Sequence, residues 1–520
     1  MQQKKLILHY KRYLPVIVLG FFSFFINFYY GFIGVMPMDN FVLYNGGYRI
    51  LNGYIPFTDY WLVTGPLLDY LNALFFTLNG VNWTSYIIHS SLFNSIISII
   101  TYLIFVEMGL KKKFSIIYSI FFAILFYPVV GTPFVDHHST FFLILIFYFF
   151  IFGILKNKNL YFIFIPFLFI LSFLSKQTPA VYGLVGIFFL ITVYLFYDLK
   201  KNIKILKPLI AGSIISIFFL FLFFYFTKIN FLNFYEQYIL YAKTIGNIRF
   251  STYKFNFLGT VSEYKFIFIL LIVLSSILIK LRKGKDVKTI FIILNIIVLT
   301  IVLTFHQYFT LNQKFIFFLI PLLAGTIHVF YKKSFQNRFV LLFTILICIY
   351  STAKYHIRFN EHRKFNELEK VDLSKAIDAV ELTNDLSGLK WITYKYPDNP
   401  EEEIKNLKEA MQIISKDQSN KTIITDYQFI ASALKIYDYS PNQWHHAAVS
   451  FPLKNQEYHK QYKAFFIRNL NKNNINLVYE ISENEDFIIE LIINKNCLTK
   501  KKVSKIMTKF QINKNCKDFQ

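Results

Sequence analysis

Long apolar runs, broken by short polar stretches, occupy the first two thirds of the chain. A helix needs about 20 apolar residues to cross the roughly 30 Å hydrocarbon core of a bilayer. On that measure, eleven crossings are expected near 13–34, 84–107, 114–131, 137–155, 160–175, 179–197, 207–227, 264–281, 288–305, 315–331 and 338–353. The fifth, Leu160–Ser175, is the shortest. From Lys354 the texture changes. Asn399-Pro400-Glu401-Glu402-Glu403 reads as a helix start: a capping Asn, Pro at the first helical position, then acids against the dipole. Ile404, Leu407, Met411 and Ile414 continue it with one apolar face. Lys421–Thr425 reads as a buried strand ending at Asp426; a helix is expected at 457–471, and strands at 475–481 and 487–493. The expected fold is a polytopic α-helical membrane domain over 1–353, with about eleven transmembrane helices, followed by a soluble α/β domain over 354–520.

Composition and charge agree. Of 520 residues, 55% are hydrophobic and 17% charged, whereas roughly a quarter of a soluble domain is charged. The net charge of +24 could point to nucleic acid, but its distribution does not. Residues 1–353 hold 29 basic and 9 acidic residues, in clusters between apolar runs, against 26 and 22 in the tail. With the N-terminus cytoplasmic, Lys111–Lys113, Lys156/Lys158, Lys200–Lys207, Lys280–Lys288 and Lys332–Arg338 all fall inside, as the positive-inside rule requires. The tail then lies outside the cytoplasmic membrane. The first span is longer than a signal-peptide core and lacks a small-x-small cleavage site before Met36, so it reads as retained. Cys348 falls in the last span, while Cys497 and Cys516 fall in the outer tail, where a disulfide can persist.

The polar chemistry gathers on the outer face. The first outer loop, 35–83, carries Met38-Asp39-Asn40, Tyr44, the run Gly53–Trp61 containing Asp59, and Gly65-Pro66. Leu67–Leu78 is too short to span and reads as an interfacial helix, with Trp61 and Tyr70 at headgroup depth. Asp39, just past a span, can reach both a polar acceptor and the head of a lipid-linked donor; from position alone, helix capping is the favoured reading. Asp136-His137-His138 could bind a sugar or a divalent metal. Adjacent helical residues point about 100° apart, however, so three in a row rarely converge on one ion. Lys176, in Ser175-Lys176-Gln177-Thr178-Pro179, is a cation at membrane depth and a functional candidate, with snorkelling as the plain alternative. His306 and Lys314 offer further cationic groups, and the outer segment Lys228–Glu263 reads as a lid or as a surface packed on the membrane.

With these residues assembled, the chain resembles the C-type (GT-C) membrane glycosyltransferases, in particular the protein O-mannosyltransferase and aminoarabinose-transferase branch. The resemblance rests on Asp39 after the first span, on Gly53, Pro56, Phe57 and Asp59, on Pro66, Phe76 and Gly80 around the interfacial helix, on Lys176 and Thr178, and on an outer soluble domain. It covers about residues 13–330, and the order of the motifs is its stronger part. Asn40 stands where the family often has Glu, and Thr64-Gly65-Pro66 replaces a Lys-Pro-Pro run. The resemblance implies inverting transfer of a sugar from a polyprenyl-phosphate carrier to a glycan, lipid or protein acceptor outside the membrane. Asp39 is then the catalytic carboxylate. Lys176, His306 and Lys314 are the candidates for the donor phosphate, and Asp136, His137, Asp59 and Tyr44 for the acceptor or a divalent metal. A divalent metal is the one cofactor left open, and no nucleic-acid partner is expected. A lipid-linked glycan polymerase or ligase, a lipid or anion transporter, and a non-catalytic envelope assembly factor are the rival readings.

Overall fold

The computed structural model describes residues 2–252, 256–281, 286–310, 314–334, 337–482 and 486–519. Residues 282–285 of one expected inner loop and 253–255 of the expected outer segment lie outside this set, as do the side chains of Lys4, Lys5, Lys11 and Arg12. Among the described residues, ten helices are long and apolar enough to cross a membrane: Tyr13–Gly31, Trp83–Glu107, Lys112–Val129, Val135–Lys156, Gln177–Tyr197, Leu199–Thr227, Leu258–Leu281, Val287–Thr310, Ile316–Ser334 and Arg338–Asn366. The fifth expected crossing is a 3₁₀ turn, Asn159–Ile163, leading into a helix, Phe164–Ser175. Together these cover roughly 28 Å. Phe162 packs over Gly153 at one end, and Ser172 Oγ donates to Ser139 O (2.8 Å) at the other. The short segment therefore runs back along Val135–Lys156 for most of its length.

The chain divides into two compact units. The first comprises Met1–Gly31, Ser90–Phe221 and Thr252–Phe365. Its central helix is Val135–Lys156, which is apolar on every side and buried along nearly its whole length, as a helix without a polar face must be. At the periphery, Phe218, Phe221 and Ile272 expose the large apolar surface that lipid covers. Charge is confined to two ends. Lys156 pairs with Glu107 (3.1 Å) and Lys333 with Asp286 (2.9 Å). Asp136 lies 20 residues from Lys156, and His306 lies 20 from Asp286, each about 30 Å along its helix.

The second unit comprises Phe32–His89, Leu222–Ser251 and Asn366–Gln520. Within it the first loop and the tail share a backbone ladder. Lys390 N donates to Phe32 O (2.8 Å), Gly34 N to Lys390 O (3.0 Å) and Val35 N to Ile392 O (3.1 Å). β1 (Ile377–Asp378) and β2 (Lys390–Trp391) form an antiparallel pair. The larger sheet has the order β3-β4-β6-β5, from β3 (Lys421–Ile424), β4 (Leu477–Ile481), β5 (Leu498–Lys502) and β6 (Met507–Ile512); only β3 and β4 are parallel. The helices Pro400–Lys416 and His459–Lys472 lie where the apolar periodicity places them, and Asn399 caps the first by accepting from Glu402 N (3.2 Å). Cys497 and Cys516 are disulfide-bonded, and Cys348 is buried.

Two local expectations are corrected. Residues 487–493 contain a short helix, Ile488–Ile492, rather than a strand. The Glu480 carboxylate accepts from Ile488 N (2.6 Å) and Ile489 N (3.1 Å), satisfying a helix start that β-branched composition alone disfavours. Trp61 is not at a membrane interface: it is buried among Tyr241, Tyr462 and Phe465. The helix expected at 67–78 forms as Leu67–Asn79, with Leu74 and Leu78 exposed. The segment 231–251 docks on the first loop, where Gln237 donates to Phe57 O (2.9 Å) and accepts from Leu62 N (3.0 Å).

Candidate functional site

In the first unit, the turn before Val135–Lys156 is held from three sides. Gly131 adopts φ +83°, and a Cβ there would meet the Gly31 Cα at 2.8 Å, so glycine is required. Asn27 Nδ2 and Ser90 Oγ donate to Gly131 O, and Arg363 donates to Pro128 O and Val130 O (both 2.9 Å). The rigid turn delivers Asp136 into the first turn of its helix, where the dipole favours a carboxylate. Asp136 Oδ2 lies 2.6 Å from Lys176 Nζ, and Oδ1 lies 3.2 Å from His306 Nε2. The Asp136 side chain is 1% exposed and that of Lys176 15%. Lys176 sits at the extended junction between two helices (φ −160°, ψ 140°), and Ser139 Oγ donates to its carbonyl (3.2 Å).

The neighbouring histidines turn elsewhere. His137 lies among the rings of Phe126, Tyr127, Phe134, Phe315 and Phe365, with the Phe315 centroid 4.3 Å away. His138 Nδ1 meets Tyr127 Oη at 2.8 Å. Asp136, His137 and His138 thus diverge. Among the described residues, no group of three or more His, Cys, Asp or Glu side chains converges on a metal position. Lys314 is not brought to Asp136; it pairs with Glu263 at a half-exposed position.

Asp39 belongs to the second unit, in the first turn of Pro37–Leu51, a helix that the apolar pattern does not announce. It is half-buried, and the adjacent Asn40 Oδ1 accepts from Met36 N (2.8 Å), so Asn40 supplies the local cap. Tyr44 is fully buried among Phe41, Phe76, Trp83 and Tyr86. Asp59 braces its own turn by accepting from Ile55 N (2.8 Å) and pairs with Lys472 (2.6 Å). The geometry thus makes Tyr44 part of a core and Asp59 part of a turn.

Sequence reading missed two polar groups in this unit. Arg49, 1% exposed, binds Asp438 Oδ2 through Nε (2.9 Å) and Nη2 (2.6 Å), Asn442 O (3.0 Å) and the Tyr60 face (4.8 Å). Its hydrogen-bond partners lie almost 400 positions away, so no local signal points to them. Asp69, fully buried, accepts from Tyr60 Oη (2.9 Å) and Gln443 Nε2 (3.0 Å). Gly46 makes room for it: a Cβ there would lie 2.1 Å from Asp69 Oδ1. Burial pushes the Asp69 carboxyl up to about 7. The folded state then holds this proton more tightly than the unfolded chain, so the stabilisation is complete below about pH 4 and is lost as pH rises through 7. Thermal unfolding of the wild type should weaken across that window by a few kcal/mol, and Asp69→Asn should flatten the slope. Parallel pH profiles for the two proteins would overturn the assignment.

No curated protein matches the chain. A family model does match part of it, over a segment that includes the Leu67–Asn79 helix, Asp136 and Lys176 but neither Asp39 nor His306. Residues 63–224 match the model described as dolichyl-phosphate-mannose-protein mannosyltransferase, so over this segment the chain is similar to a membrane glycosyltransferase of the C type.

Proposed function

We propose that this protein is an integral-membrane glycosyltransferase that moves a sugar from a polyprenyl-phosphate carrier to a glycan, lipid or protein acceptor outside the cytoplasmic membrane, with inversion. The observation that carries this reading is the family match over residues 63–224, set within ten membrane-length helices whose charge is confined to their ends. The N-terminus is cytoplasmic and the C-terminal region lies outside.

In the proposed reaction, an acceptor hydroxyl attacks the anomeric carbon opposite the phosphate. Asp39 takes its proton as the new C–O bond forms and the bond to phosphate oxygen breaks. Cations stabilise the departing phosphate. Lys176 would serve by exchanging Asp136 for phosphate, His306 through either ring nitrogen, and Lys314 by leaving Glu263. The carrier tail lies along the exposed apolar helices.

One observation favours a second reading. The buried Asp136–Lys176–His306 group is the kind of intramembrane charge cluster that a coupled transporter also carries. The deciding experiment offers membranes containing the protein a panel of radiolabelled polyprenyl-phosphate sugars. Label passing to a cell-surface glycan, lipid or protein, absent in membranes lacking the protein, is the expected result. Carrier crossing the vesicle bilayer with no label transferred would replace the transferase with a transporter.

A further inference from the structure

The C-terminal region carries a charged group beside the proposed base. Ile33 and Lys390 pair in parallel, so both chains leave their ladder in the same direction. Asp39 follows four residues after Val35, and Tyr394 and Lys395 follow two and three residues after Ile392. Phe41 ties the two exits together by packing on Trp391 (5.8 Å) and Phe429 (4.8 Å). Tyr394 lies within electrostatic range of Asp39, Lys395 and Asp426. Lys395 Nζ is 2.7 Å from Asp426 Oδ2 and 5.2 Å from the centre of the Tyr427 ring. That ring is itself fixed, because Tyr427 Oη donates to the buried Glu403 (2.6 Å), which also accepts from Trp391 Nε1 (2.9 Å) and Thr393 Oγ1. Asp426 stands two residues beyond the carboxyl end of β3, where α/β sheets habitually place their ligands.

We propose that Lys395, held by Asp426 over Tyr427, binds the phosphate of the lipid carrier beside Asp39, so that the C-terminal region completes the substrate site instead of merely covering it. The proposal rests on the transferase reading. Desolvation decides between the candidate cations. Releasing Lys176 takes the ammonium partner from an Asp136 carboxylate that is only 1% exposed, which is costly. Releasing Lys395 leaves Asp426 at 19% exposure, nearer to water than Asp136 at 1%, so the desolvation cost is smaller. The reaction needs a proton acceptor on one side of the sugar and a cation on the other, and the two segments that leave the parallel ladder supply a carboxylate and an ammonium.

The test uses the full-length protein in detergent micelles, titrated with polyprenyl monophosphate and followed by tryptophan fluorescence, with uncharged polyprenol and inorganic phosphate as comparators. Lys395→Met should weaken binding of the monophosphate about tenfold, the scale of one lost charge-assisted hydrogen bond. Lys395→Arg should recover most of it, Asp426→Asn should bind at least as tightly as wild type, and polyprenol binding should not change. Unchanged monophosphate binding in Lys395→Met overturns the proposal, as does an equal loss for polyprenol, or no binding by the wild type. Inorganic phosphate binding as tightly as the carrier, with the same dependence on Lys395, would also overturn it by assigning the site to a free anion. Lys395-dependent binding without sugar transfer by the wild type would remove the transferase reading and leave the phosphate site standing.

Discussion

Asp39→Asn is expected to lower sugar transfer by about 10²–10⁴-fold at saturating donor, the usual contribution of a positioned general base. The substitution keeps size and hydrogen-bonding capacity but cannot take the acceptor's proton. Its structural cost should be small. Asp39 is half-buried in the first turn of Pro37–Leu51, and Asn40, not Asp39, accepts from Met36 N. The interaction of the carboxylate with the helix start accounts for about 0.3–1 kcal/mol of that cost. Turnover should therefore collapse while the unfolding temperature stays near that of the wild type. Transfer at the wild-type rate would remove Asp39 from the chemistry, whatever the protein does.

The second large effect concerns stability. Asp136→Ala should destabilise the helical unit by about 3–5 kcal/mol, because it removes the carboxylate that pairs with Lys176 and with His306 Nε2 inside an apolar bundle. Removing both charges should cost much less: Asp136→Leu with Lys176→Met replaces a desolvated pair by apolar contacts, which is often neutral. Thermal unfolding of the two single variants and the double variant in detergent measures the coupling directly. If the double variant regains stability but transfers no sugar, the cluster is maintained for function. A single Asp136→Ala variant as stable as wild type would show that the pair is solvated after all.

Much of the helical architecture could be read from the chain because lipid leaves few options. A run such as Val135–Lys156, apolar on all sides, can satisfy its backbone in hydrocarbon only as a helix, and only the interior of a bundle suits it. The same local logic located the Asn399-capped helix and the strands at Lys421–Ile424 and Leu477–Ile481. Where a distant group supplies the missing partner, local reading failed. Ile488–Ile492 is helical because the Glu480 carboxylate caps it. Trp61 is a core residue because Tyr241 and Tyr462 close over it.

The candidate site divides along the same line. The individual residues Asp39, Asp136, Lys176 and His306 stand out in the sequence because ionisable groups are rare and costly near hydrocarbon. Which of them meet was decided only by tertiary structure. Lys176 and His306 converge on Asp136 from 40 and 170 positions away, whereas His137, the nearest neighbour in sequence, turns into an aromatic cage. Arg49 finds Asp438 across 389 positions, and Phe32–Val35 finds Lys390–Ile392, so the first loop and the tail form one unit. The physical reason is one of range. Hydrophobic periodicity and lipid solvation act on each segment by itself, and a single sequence displays them. The partner of a buried charge or of an unpaired strand is chosen by whatever the folded chain brings within about 3 Å, and no local pattern encodes that choice.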